Sequence, residues 1–140
     1  MKNPFVYLAA ICSLILGTMQ VSAQSFNHNK NNYLVLTKNT QQLKSILLTA
    51  EDLAKEDGKK YGEFQIIICG KTVIDFTDSS SLKEILANTK AQNVKINACG
   101  ISLKKFNIDP ILLPPSITVV ENGILYSFQL KKKGFITLSI

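Results

Sequence analysis

Apolar residues along this chain alternate between short continuous runs and helical stripes. Tyr33-Leu34-Val35-Leu36-Thr37 is nearly unbroken, the pattern of a strand buried on both faces of a parallel sheet. Lys38-Asn39-Thr40 turns the chain, and Thr40 stands where an N-cap is expected. From Gln41 to about Glu56 the period changes: Leu43, Ile46, Leu47, Ala50 and Leu53 fall on one helical stripe, which Asp57-Gly58 ends. Phe64-Gln65-Ile66-Ile67-Ile68-Cys69 is a second buried run, with Gly70 directly after it. Val73, Ile74 and Phe76 follow in a connecting stretch that fits neither period. Ser81-Leu82-Lys83-Glu84 matches a capping box, predicting a helix from Leu82 to about Lys90 that buries Leu82, Ile85, Leu86 and Thr89.

Val94 to Ala98 is a third strand, Cys99-Gly100 a turn, and Ile101 to Phe106 a short helix. Pro110, Pro114 and Pro115 make Asn107 to Ser116 a loop, with room for one helical turn at Ile111 to Leu113. Ile117 to Val120 is a fourth strand. Glu121-Asn122-Gly123 then reads locally as a hairpin turn, but Gly123 to Lys132 also reads as a helix burying Ile124, Leu125 and Phe128, closed by Gly134. The helix keeps the strand–helix alternation and makes Phe135 to Ile140 a fifth strand. The expected fold is α/β, a three-layer α/β/α sandwich on a five-stranded, mainly parallel sheet, formed by residues 33–140 as one domain.

The residues before that domain have a different character. Lys2, the apolar run Phe5 to Leu16 and the small residues of Val21-Ser22-Ala23 have the layout of a secretory signal, so residues 1–23 are expected to be cleaved. A membrane anchor is the competing reading, but the run is short for a span and no basic stop-transfer flank follows it. Cys12 would leave with the signal. Residues 24–32 are polar and Asn-rich and read as a flexible lead-in. The mature chain is then expected to be exported, periplasmic or secreted, with no membrane span once the signal is removed.

Charge narrows the function classes. The chain carries 16 basic and 10 acidic residues, net +6, and every basic residue is a lysine. Planar phosphate recognition favours arginine, and aromatics are not interleaved with the lysines, so no nucleic-acid partner is expected. The glycines do not cluster as a phosphate loop needs. Glu51 and Asp52 are adjacent on a helix and point apart, and Asp75 and Asp78 read as solvated linker residues. The only histidine, His28, lies in the polar tail, so no Cys-His or Ser-His dyad and no metal site is expected, and no cofactor.

Two thiols remain in the mature chain. Cys69 ends an Ile-rich strand and reads as a small buried hydrophobe. Cys99 stands at the end of a strand and the start of a helix, where free backbone N–H groups favour negative charge and bias a thiol towards thiolate. From position alone, a reactive Cys99 and a packed one are equally compatible. If the two strands are neighbours, Cys69 and Cys99 could also form a disulfide, which needs Cα atoms within about 7 Å.

Val94-Lys95-Ile96-Asn97-Ala98-Cys99-Gly100-Ile101-Ser102-Leu103, followed by Asn107-Ile108, resembles the cysteine-containing segment of the DsrE/DsrF-like sulfur-metabolism family. Gln129-Leu130-Lys131-Lys132-Lys133-Gly134-Phe135-Ile136 is similar to that family's closing helix, Gly-aromatic step and last strand, and Cys69-Gly70-Lys71-Thr72-Val73 sits where the family has a strand end, a glycine and a valine. The resemblance implies the same α/β/α sandwich, homo-oligomers such as trimers or hexamers, and a sulfur donor or acceptor protein as partner. It implies that Cys99 carries sulfur as a persulfide, with Gly100 allowing close approach of the backbone. The backbone N–H groups of Gly100 and Ile101 are then the expected thiolate stabilisers. The leading expectation is an exported carrier that accepts and transfers sulfane sulfur on Cys99. Its alternatives are a non-catalytic assembly module of the same fold and a thiol-disulfide redox protein using Cys69 and Cys99.

Overall fold

A computed structural model of the chain describes residues 29–78, 80–88 and 93–140. The expected signal segment and the lead-in as far as residue 28 lie outside the described residues. Strand β1, Asn31–Thr37, leads through a 3-10 turn at Thr40–Gln42 into helix α1, Leu43–Asp57. Strand β2, Tyr61–Ile68, is followed by a 3-10 turn at Lys71–Ile74, the single-turn helix α2 at Asp75–Asp78 and helix α3 at Ser80–Asn88. Strand β3, Val94–Cys99, runs directly into helix α4, Gly100–Lys105. A 3-10 turn at Pro110–Leu112 precedes strand β4, Ile117–Val120, and helix α5, Gly123–Lys132, leads to strand β5, Ile136–Ser139.

The sheet order is β4-β3-β2-β1-β5, and all four pairings are parallel. The chain steps from β1 to β4 towards one edge, then returns past β1 to the other. Leu43, Ile46, Leu47 and Ala50 of α1 pack with Val73, Phe76, Leu82 and Leu103 against Val35, Ile66, Ile68, Ile96 and Ala98 of the sheet. Leu34, Ile67, Cys69 and Cys99 point to the opposite face, under Leu130 of α5 and Phe135. The expected three-layer α/β/α arrangement is therefore the one observed, with one layer thick and the other reduced to a single helix. Full burial of each large side chain in the thick layer contributes about 1.5–3 kcal/mol.

The structure corrects several local expectations. Strand β1 begins in the expected lead-in, because Asn31 pairs with Tyr61 and donates from Nδ2 to Asp57 at 2.9 Å. Asn39, not Thr40, caps the first helical turn, accepting from the Gln41 N–H. Thr40 is buried and its hydroxyl donates to Asp75, so Asp75 is a structural partner and not a free solvated carboxylate. Helix α3 starts before Ser81, so the expected capping box lies inside the helix. Leu82 is buried and Ile85 partly so, while the side chain of Leu86, and Thr89 and Lys90, lie outside the described residues.

The hairpin alternative at residues 122–132 is replaced by α5, but its inward face is not the expected one. Gly123, Ser127 and Leu130 are buried, whereas Ile124, Leu125 and Phe128 are 59%, 54% and 60% exposed. A Cβ on Gly123 would stand 2.8 Å from both the Cys69 sulfur and Ile67 Cγ2, so the helix approaches the sheet at a distance only glycine permits. That contact fixes the rotation of α5 about its axis. The Ser127 hydroxyl donates to the Gly123 carbonyl at 2.8 Å, which satisfies the buried polar group at the next turn.

Candidate functional site

The carboxyl ends of β2 and β3 and the start of α5 converge on the two thiols. The last paired residues of these strands are Ile68 and Ala98, and Cys69 and Cys99 are the next residue on each. Neighbouring strands lie about 4.8 Å apart, well inside the reach that a disulfide requires. Both cysteines are reduced, and they are only 6% and 4% exposed.

Cys99 is surrounded by donors. The Gly123 N–H, at the first turn of α5, points at its sulfur with nitrogen and sulfur 3.4 Å apart. Asn122 caps that helix, accepting from Ile124 and Leu125 at 3.1 Å each, which leaves the Gly123 N–H directed at the thiol. Ser102, through its backbone and its hydroxyl, and the Cys69 thiol also favour the charged form of Cys99. The Ser102 oxygen accepts from the Gly70 N–H at 2.8 Å, which leaves its own proton for another acceptor. Burial pushes the Cys99 thiol up, but the bonds from Gly123, Ser102 and Cys69 outweigh it and hold the group below its ordinary value. Cys69 is pushed the other way, to about 12, by burial first and then by the charge of Cys99 and the hydrogen bond to it, against a small lowering by Lys38. The pair is therefore divided, with Cys99 shifted towards thiolate and Cys69 held as thiol.

No family model matches the chain, nor does any curated protein sequence. Solved structures share its fold. The protein of unknown function MTH1491 from Methanobacterium thermoautotrophicum superimposes with a TM-score of 0.60 at 13% identity, over 79% of this chain and 99% of that one. The conserved protein of unknown function BT1422 from Bacteroides thetaiotaomicron gives 0.59 at 22% identity, over 79% and 95%. Likeness at this level establishes the α/β sandwich and no activity.

Neither Gly100 nor Ile101, the expected stabilisers, is among the groups that lower the Cys99 thiol. The Ile101 N–H donates to the Glu121 carbonyl at 3.0 Å, tying α4 to the end of β4, and so is not among the donors to the thiol. Gly100 serves close approach: a Cβ there would meet the carbonyl oxygens of Glu121 and Val120 at 3.0 and 3.2 Å. The donors that do reach Cys99 come from Ser102, three residues on, and from Gly123, 24 residues away. Sequence reasoning missed both; the signals that mark them are a hydroxyl three residues past the thiol and an Asn-Gly step at the start of the last helix.

A groove of about 470 Å³ lies beside the site, between α4 and α5, lined by Ile101, Lys104, Glu121, Asn122, Leu125 and Tyr126 among others. Neither cysteine lines it, so it borders the thiols without opening onto them. Among the described residues no three His, Cys, Asp or Glu side chains gather as a metal site, and no helix is long and apolar enough to cross a membrane.

Proposed function

We propose that this chain is a sulfur-handling protein in which Cys99 accepts sulfane sulfur as a persulfide and passes it on. The observation that carries the reading is the Gly123 N–H directed at the buried Cys99 sulfur, with Ser102 and Cys69 beside it also favouring its charged form. They favour the thiolate, which is the nucleophile towards a polysulfide or a donor persulfide. The same donors suit the anionic form of the product. The resemblance to the DsrE/DsrF-like segment around Cys99 supports the same chemistry. Export, and self-association through the uncovered stripe of α5, belong to the same reading.

The test is intact-mass analysis of the reduced protein after brief exposure to a polysulfide and acid quench. Adducts in steps of about 32 Da, removed by dithiothreitol and missing in Cys99→Ser, are the expected result. One observation favours a second reading: Cys99 is only 4% exposed, as a packed thiol in a binding or assembly module would be. That module would show no sulfur adduct, and its native Cys99 would resist alkylation for as long as the fold persists.

A further inference from the structure

We propose that Cys69 is the resolving thiol of this site: it attacks sulfur held on Cys99, releases it as sulfide, and leaves a Cys69–Cys99 disulfide. The inference rests on the carrier reading and extends it from storage and transfer to reduction of sulfane sulfur.

The placement of the pair carries it. Cys69 and Cys99 follow the last register pair of two adjacent parallel strands. Both belong to the cluster on the α5 face of the sheet. The Gly123 N–H lies 3.4 Å from the Cys99 sulfur and each thiol bears on the ionisation of the other, so the attacking atom and the atom attacked are neighbours before any sulfur arrives. Gly123 closes the space above them: a Cβ there would lie 2.8 Å from the Cys69 sulfur and 3.2 Å from Cys99 Cβ. Cys69 is therefore the thiol already placed beside Cys99 within that space.

The chemistry balances in two steps. In the first, the Cys99 thiolate attacks the terminal sulfur of a donor hydropersulfide. A bond from Cys99 to that sulfur forms, the donor's sulfur–sulfur bond breaks, and the donor leaves as a thiolate. In the second, Cys69 attacks the inner sulfur, Sγ of Cys99. The Cys69–Cys99 bond forms, the bond to the outer sulfur breaks, and the electron pair and the Cys69 proton leave with it as hydrogen sulfide. Two thiols lose two electrons and the sulfane sulfur gains two. A dithiol reductant returns the disulfide to the starting pair. Ionisation of Cys69 is needed only at this second step, when its proton passes to the departing sulfur. Lys38, which packs over Gly70, continues to favour it.

The experiment compares wild type, Cys69→Ser, Cys69→Ala and Cys99→Ser, each pre-reduced, freed of reductant and given a small excess of inorganic polysulfide. Sulfide release and intact mass are read together. Wild type is expected to release one equivalent of sulfide and finish about 2 Da below its reduced mass. Both Cys69 variants are expected to keep an adduct of about 32 Da and release sulfide roughly tenfold more slowly or less. Wild-type sulfide release by either Cys69 variant, or a stable adduct on wild type with no disulfide, overturns the resolving role and leaves the carrier standing. Absence of any adduct on the Cys69 variants, with their folds intact by circular dichroism, overturns the carrier and the resolving role together.

Discussion

Ser102 is the residue on which the division between the two thiols turns. Its oxygen accepts the Gly70 N–H at 2.8 Å, and the side chain favours the charged form of Cys99. The side chain thereby links the loop after β2 to the sulfur after β3. Ser102→Ala removes a donor to a charged sulfur, an interaction contributing about 1.5–3 kcal/mol. The Cys99 thiolate midpoint should rise by about one pH unit or more, since about 1.4 kcal/mol corresponds to one unit. A titration of thiolate ultraviolet absorbance measures it, with Ser102→Thr expected to stay near wild type. If Ser102→Ala lowers stability through the orphaned Gly70 N–H but leaves the midpoint in place, Ser102 is a brace and not an electrostatic partner. Cys99 itself was legible in the sequence because a strand, a Cys-Gly step and a helix are contiguous there. Its donors were not, because the nearest backbone candidate, the Ile101 N–H, is drawn away by a carbonyl on another strand. Gly123 reaches the sulfur only through the return of the chain across the sheet.

Helix α5 shows why an apolar pattern can give the element and miss its orientation. Its sequence offers Ile124, Leu125 and Phe128 as an inward stripe, and these are the residues left outside. The first two inward positions, Gly123 and Ser127, are small, and at Gly123 the helix lies close over the sulfurs, so packing distance and not hydrophobicity selects the face. The stretch after β2 defied a single period for a different reason. Val73 and Phe76 are both buried, but they belong to a 3-10 turn and a single-turn helix of different pitch. The outward stripe of α5 has a consequence at this scale. Three large apolar side chains, each more than half exposed on one helix, are better covered by a second copy of the chain than by water. Phe128→Lys should shift the protein towards its monomer mass in light scattering while moving its folding stability by no more than about 0.5 kcal/mol. A wild type that is already monomeric at high concentration would refute self-association through this face.

At the scale of the whole molecule, the parallel sheet sorts its polar chemistry to opposite ends. Strict alternation of strands and helices made the parallel architecture readable from sequence. The order β4-β3-β2-β1-β5 was not, because nothing local dictates that the last strand joins the far edge. The carboxyl ends of β2 and β3 carry the thiols. The amino end is closed by Asp57, which accepts from Tyr33 at 2.7 Å and from Asn31 at 2.9 Å. Burial, then the hydrogen bond to Asp57 and the charge of Asp57, push the Tyr33 phenol up to about 12. Tyr61 beside it is raised in the same direction, by burial and by Asp57. A phenol whose folded value lies above its ordinary value of about 10 keeps its proton longer folded than unfolded. Its contribution to stability is therefore complete below about pH 10 and is lost as the pH rises towards about 12. The melting temperature should fall with pH above about 10, and Tyr33→Phe should flatten part of that fall, leaving the share that belongs to Tyr61. The comparison with the variant cancels every contribution that the two proteins share. An unchanged alkaline slope in Tyr33→Phe would mean that the Asp57 cluster orients the amino end of the sheet without coupling its stability to the phenol proton.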